Sequence, residues 1–117
     1  MLPRAQRITR GSDYVDVARH GRTFRGELIM LRTLRNASGR TRFGLVVSRA
    51  VGNSVVRNRT KRRLREILRG VPVHQGWDVV ISTRPEAASA SYFSLKSAVF
   101  SMLQRAELLT QSTHRTS

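Results

Sequence analysis

Residues 55–69 read Val-Val-Arg-Asn-Arg-Thr-Lys-Arg-Arg-Leu-Arg-Glu-Ile-Leu-Arg, and six of the nine residues in 57–65 are basic. That density is the chemistry of phosphate contact, because guanidinium forks grip phosphate oxygens in pairs and stack on exposed bases. The run is also helical in period. At ~100° per residue, Val56, Thr60, Leu64, Ile67 and Leu68 share an arc of roughly 120°. Arg59, Lys61, Arg62, Arg63, Arg65 and Arg69 cover most of the remainder, with Arg57 on the flank of the stripe. One side can therefore dock on a core while the other presents a positive field. A basic run is more often a solvated face held by i,i+4 ion pairs. Here Glu66 is the only acid in the segment, too few to pair with so many arginines. Asn58, inside the run, can hydrogen-bond a base or a sugar through both ends of its amide.

A second nucleic-acid surface is conceivable where the first helix meets the sheet. Tyr14 offers a stacking platform there, and Arg10, Arg19 and Arg32 offer charge, the usual equipment for single strands. Core packing accounts for Tyr14 equally well. Trp77, Phe93 and Phe100 read as packing residues.

Independent catalysis finds few parts. His20, His74 and His114 fall at a helix end, in a loop and in the tail, and there is no cysteine. No nucleophile–base pair is visible in the spacing. Asp13 and Asp16, the one close carboxylate pair, suit the positive end of the first helix better than a shared cation. Asp78 reads as a salt-bridge partner as readily as anything else. The glycines form no phosphate-binding loop.

Composition points the same way. The chain has 22 Lys and Arg against 7 acids, a net charge of +15, and only two of the 22 are lysines. Such self-repulsion is tolerable when a polyanion is the normal partner. The arginine bias alone is weaker evidence, since a GC-rich genome produces it too. Absence of cysteine excludes disulfides and thiolate metal sites and fits a reducing cytoplasm. The opening residues lack the apolar core of a signal peptide, and no run approaches ~20 apolar residues, so a cytoplasmic chain without a membrane span is expected. Hydrophobic residues make up 39% of 117, enough for one modest core. Residues 1–117 are expected to be a single domain, ordered over about 8–109, with a flexible basic arm before it and a polar tail from 110.

The elements that must hold these residues follow from periodicity and breakers. Ser12 can cap a short helix ending at Gly21. Residues 27–35 alternate as a strand, residues 36–39 make a turn, and 41–49 read as the returning strand of a hairpin. Asn53 or Ser54 can cap the basic helix, which Gly70 and Pro72 terminate. Residues 77–83 form a β-branched strand. Residues 91–109 form a helix with Leu95, Val99, Met102, Leu103 and Ala106 on one stripe. Strand, basic helix, strand suggests a βαβ crossover on a mixed sheet.

Residues 52–65, Gly-Asn-Ser-Val-Val-Arg-Asn-Arg-Thr-Lys-Arg-Arg-Leu-Arg, resemble the signature of the bacterial ribonuclease P protein family, Arg-Asn-Arg, one variable residue, then Lys-Arg. The resemblance spans roughly residues 8–108 and includes His20-Gly21 and Arg84-Pro85. It implies an α/β (α+β) two-layer sandwich, a mixed sheet of about four strands with three helices, and a left-handed crossover through the basic helix. It also implies a function: the RNA-binding subunit of the ribonucleoprotein that removes the 5′ leader from precursor tRNA. In that family the catalytic RNA and its Mg²⁺ do the chemistry. The protein alone is expected to be inactive and to need no obligate protein partner. Its part is to bind the leader and raise affinity for substrate and Mg²⁺, the ions being held mainly by RNA subunit and substrate. By this resemblance Arg57, Asn58, Arg59, Lys61, Arg62, Arg63, Arg65 and Arg69 face the RNA subunit, with Arg57 and Asn58 nearest the substrate. Arg10, Tyr14, Val17, Arg32, Val47 and Ser48 would line the leader cleft.

Three positions depart from the family pattern. Ala18 stands where a bulky, often aromatic side chain is common, Arg32 where an aromatic is common, and Arg49-Ala50 where two basic residues are common. With one platform fewer, leader binding would lean more on charge. The competing readings are a non-catalytic RNA-binding protein of another ribonucleoprotein, such as a ribosome-associated factor, and a membrane-surface helix. The second lacks Trp or Phe on the apolar stripe of the basic helix.

Overall fold

The computed structural model describes residues 2–110. Its strands are β1 (Arg22–Arg25), β2 (Ile29–Arg35), β3 (Arg42–Val46) and β4 (Trp77–Thr83), and its helices α1 (Gly11–His20), α2 (Ser54–Leu68) and α3 (Tyr92–Arg105). Spatial order in the sheet is β1-β2-β4-β3. β1 and β2 are antiparallel, as are β2 and β4, while β3 runs parallel to β4. The basic helix α2 is therefore the crossover of a βαβ unit, as its place between two strands suggests.

The expected hairpin of β2 with β3 does not form. β4 lies between them, and the actual hairpin is β1 with β2. Val79, Val80 and Ile81 are all buried, so this strand needs cover on both faces and takes a central position. Alternation in β2 and β3 fixes their faces but not their neighbours. β1, a mostly exposed Arg-Thr-Phe-Arg edge, carries too little pattern to be seen in sequence.

Ile29 and Leu31 of β2, Phe43 of β3, and Val79 and Ile81 of β4 join Leu64, Ile67 and Leu68 of α2 and Leu95, Val99, Met102 and Leu103 of α3 in the main core. Ile8, Val17 and Val80 form a smaller cluster with Tyr14 and Leu34. Helices α2 and α3 thus cover one face of the sheet, and α1 adds a partial layer to the other.

Local differences have local causes. Ser12 lies inside α1, whose N-cap is Arg10 with no side-chain cap; Asp13 supplies the first-turn carboxylate instead. Residues 2–10 are packed and do not trail as an arm. Leu2 is buried in the main core, Ile8 in the smaller one, and the Ile8 N–H donates to the Phe43 carbonyl at 2.9 Å. β3 is an edge strand, and this segment covers its open side. α3 ends earlier than expected because Glu107 turns the chain at φ 60°, after which Leu108 is buried and Leu109 bridges to Val73. The expected tail, residue 110 apart, and His114 lie outside the described residues.

Candidate RNA interface

Asn53 starts α2, its side-chain oxygen accepting the Val56 N–H at 3.0 Å. Thr60, Leu64, Ile67 and Leu68 are buried, and the Thr60 hydroxyl satisfies itself on the Val56 carbonyl at 2.9 Å. Gly70, at φ 72°, follows the helix in a conformation that disfavours other residues. With one face so anchored, the remaining positions must face outward. Asn58, Arg59, Arg62 and Arg69 are exposed, and Arg57, Lys61, Arg63 and Arg65 are half-buried on the flanks. All eight residues assigned to the RNA subunit thus share the non-core surface of one helix and its C-cap.

The flanking groups are oriented. Arg63 donates from Nη1 to the Ala90 carbonyl at 3.2 Å, and Arg57 from Nη2 to Ser54 Oγ at 3.4 Å. Arg57 Nε is buried with no protein partner. Lys61 and Arg65 open into a cavity of ≈ 440 Å³ bounded by the N-terminal segment and β3. Arg4, Arg7 and Tyr14 line it with them, over apolar walls that include Leu2 and Phe43, and no carboxylate contributes. Sequence reading missed Arg4 and Arg7 by treating their segment as loose. The signal was there in Leu2 and Ile8, two apolar anchors bracketing the basic residues.

The six leader candidates are not gathered into one pocket. Tyr14 lines the cavity just described, while Arg10 lines a separate polar cavity with Asp13, Asp16, Arg42 and Asp78. Arg32, Val80 and Gly44 are register partners across β2, β4 and β3, and Tyr14 covers Gly44, so Arg32 and Tyr14 share the α1 face, with two strand spacings, ~10 Å, between the backbones of Arg32 and Gly44. Arg32 Nε reaches Thr23 Oγ1 at 3.4 Å. Ser48 is exposed. Val17 is fully buried and Val47 nearly so, so both lie beneath the surface, where they can shape a groove from below. Arg19 and Ala18 are exposed on α1.

Burial raises the Tyr14 phenol above its ordinary value, with the Leu45 backbone and the charge of Arg65 opposing. The ring is therefore neutral at physiological pH. Asp78 proves to be a salt-bridge partner. Arg42 donates to both its oxygens at 2.9 and 2.8 Å, Asn36 adds a third bond at 2.8 Å, and Arg42 Nη1 also reaches Asp13 at 3.4 Å. The hydrogen bonds it donates to Asp78 raise the Arg42 guanidinium further above its already high value. This network ties the first turn of α1 to the sheet. Among the described residues no three His, Asp or Glu side chains converge on a point that could hold a metal, and no helix is long and apolar enough to cross a membrane.

The Ribonuclease P family model matches residues 2–107. This chain belongs to the ribonuclease P protein family. It is 37% identical over 116 residues to the ribonuclease P protein component of Dehalococcoides mccartyi strain CBDB1, covering 99% of this chain and 97% of that one. Its fold is similar to the RNase P protein of Thermotoga maritima, with a TM-score of 0.76, 25% identity, and coverage of 85% and 96%. A mutant of the Staphylococcus aureus RNase P protein superposes with a TM-score of 0.84 at 23% identity, covering 90% and 91%. The chain is thus a protein component of ribonuclease P, a tRNA-processing ribonucleoprotein of bacteria, and its partner is the RNase P RNA. Catalysis in this family resides in the RNA. Trp77, expected to be structural, packs on the main core beneath the Arg35 guanidinium at 5.3 Å.

Proposed function

We propose that the outward face of α2 binds the RNase P RNA and that the α1 face of the sheet guides the 5′ leader of precursor tRNA. The observation that carries this reading is the division of α2: Thr60, Leu64, Ile67 and Leu68 are buried while Asn58, Arg59, Arg62 and Arg69 are exposed, so these four polar groups face away from the core. Arg57 and Asn58 stand at the N-terminal end of that face, nearest the substrate in this reading. Tyr14 and Arg32 supply stacking and charge to the leader, with Arg10 and Ser48 at its margins and Val17 and Val47 shaping the surface from beneath. Lys61 and Arg65, shared between α2 and the Tyr14 cavity, join the two surfaces into one positive field.

Mg²⁺ is held mainly by the RNA subunit and the substrate. The protein raises affinity for it indirectly, by screening phosphate repulsion where leader and RNA approach. The setting is the bacterial cytoplasm.

The test is cleavage of precursor tRNA at low Mg²⁺ by the cognate RNA, with and without this protein. Protein alone and RNA alone at high Mg²⁺ serve as controls. Correct 5′ ends that require both components at low Mg²⁺ are expected. RNA active alone at high Mg²⁺ but unstimulated by the protein would overturn the proposal.

A further inference from the structure

Phe93 is 78% exposed, more than any other large hydrophobic side chain among the described residues. Its periodic partner Phe100 packs on the main core, so the two phenylalanines seven apart do not share a role. Between them lies Lys96, whose ammonium is 6.0 Å from the Phe100 ring. α3 carries Lys96 and Arg105 and no acidic residue. The ring of Tyr92 meets that of Phe93 edge-on, centroids 6.0 Å apart at 80°, which braces the exposed ring. Beside it a groove of ≈ 550 Å³ runs between α3 and the β1–β2 connection, with Leu28, Ala98 and Met102 as its apolar lining, Ser94 and Ser97 among its hydroxyls, and one carboxylate, Glu27, on the far wall against Arg105 on α3.

We propose that Phe93 is a base-stacking platform for the RNase P RNA, extending the α2 interface across the start of α3. This rests on the reading that α2 faces that RNA. Continuity comes from Arg63, one of the basic residues of α2, which is bonded to the Ala90 carbonyl three positions before Phe93. An exposed aromatic ring one helical turn from Lys96, on a helix without carboxylates, suits an unpaired base better than an apolar protein surface. The serine hydroxyls both donate and accept, so they can meet any base edge. Two copies of a chain carrying +15 repel each other, which disfavours a second copy as occupant.

Full-length wild type, Phe93→Ala, Phe93→Trp and Arg62→Ala would be titrated with the cognate RNase P RNA across a salt series. Phe93→Ala is expected to weaken binding roughly 5- to 150-fold, the span of one base–aromatic stack, with melting temperature and salt slope unchanged. Phe93→Trp should keep the affinity, and its added fluorescence, measured against the Trp77 background, should be quenched by the RNA. Arg62→Ala should instead flatten the salt slope. An affinity for Phe93→Ala within twofold of wild type overturns the platform, whatever Arg62→Ala does. So does an equal loss in Phe93→Trp, or a loss confined to precursor over mature tRNA in the holoenzyme. Self-association abolished by Phe93→Ala, with RNA affinity intact, would assign the ring to a second copy and likewise overturn it. If Arg62→Ala binds as wild type does while Phe93→Ala is weakened, the α2 reading fails separately.

Discussion

Tyr14 closes on the backbone of Gly44: a methyl group built on that glycine would lie 2.6 Å from Cε1 and 2.7 Å from the phenolic oxygen. Only a residue without a side chain lets the ring settle against β3. Gly44→Ala must therefore displace Tyr14. Because the colliding atoms are the far end of a side chain, the cost to stability is small, about 1 kcal/mol, toward the low end for overpacking. The expected result is a melting temperature within a few degrees of wild type. Holoenzyme preference for leader-bearing over leaderless substrate should fall about tenfold, one stacked base, as in Tyr14→Ala. Unchanged preference would remove Tyr14 from the leader path.

The raised phenol of Tyr14 sets a pH signature. A group whose folded pKa exceeds its unfolded value contributes stability that is complete below the unfolded pKa and disappears as pH rises through the folded one. Stability attributable to Tyr14 should hold up to about pH 10 and fall above it. Tyr14→Phe should abolish that component of the fall. Chemical denaturation of both proteins between pH 9 and 11 checks this; parallel losses would mean the ring is more solvated than its contacts indicate.

Leu64 and Arg62, two positions apart on α2, should separate folding from binding. Leu64 is wholly buried, so Leu64→Ala should cost about 2–5 kcal/mol and lower the melting temperature by roughly 10–20 °C. Arg62→Ala should leave melting unchanged and weaken RNA binding. If about six basic groups neutralise phosphates, affinity should fall with salt at a logarithmic slope near −4, at ~0.7 per contact, and Arg62→Ala should lessen that slope by about 0.7. A wild-type slope near −1 would exclude this helix as the main electrostatic contact.

Arg42→Ala would strand Asp78, which is buried, leaving only Asn36 on its oxygens. A fully buried pair broken this way costs about 3–5 kcal/mol. The side chain of Arg42 retains 23% exposure, so about 2–3 kcal/mol is expected. The first turn of α1 should loosen in particular, since Asp13 loses its partner. Hydrogen exchange of α1 amides in the variant reads this out, and protection equal to wild type would show that the bridge does not hold the helix.

Much of this was legible in the chain itself. The stripe Thr60, Leu64, Ile67, Leu68 and the β-branched run from Trp77 to Thr83 carry strong periodicity, so their faces and bounds came out as expected. Pairing did not, because nothing in the alternation of residues 27–35 and 41–49 says that a later, more apolar strand will separate them. The loose reading of the N-terminal segment differs from the structure over residues 2–10 for a related reason: Leu2 and Ile8 become anchors only once β3 is an edge. For the site, the basic face of α2 was readable because phosphate contact needs charge at helical spacing and little else. The burial of Val17 and the exposure of Phe93 depend on which elements land on either side, and that is a tertiary fact.

The position of β4 bears on how the molecule comes to exist. β2 and β3 are joined only through it, so before residues 77–83 leave the ribosome the antiparallel pair and the lone strand have no ladder between them. The arginine-rich helix emerges earlier than the strand that completes its core. For that interval the nascent chain is a polycation whose apolar stripe has little to rest on, among abundant RNA. Closure of the sheet is a late, long-range event, of the kind that makes folding slow and leaves intermediates exposed. The protein's first encounter with RNA can therefore precede its own completion.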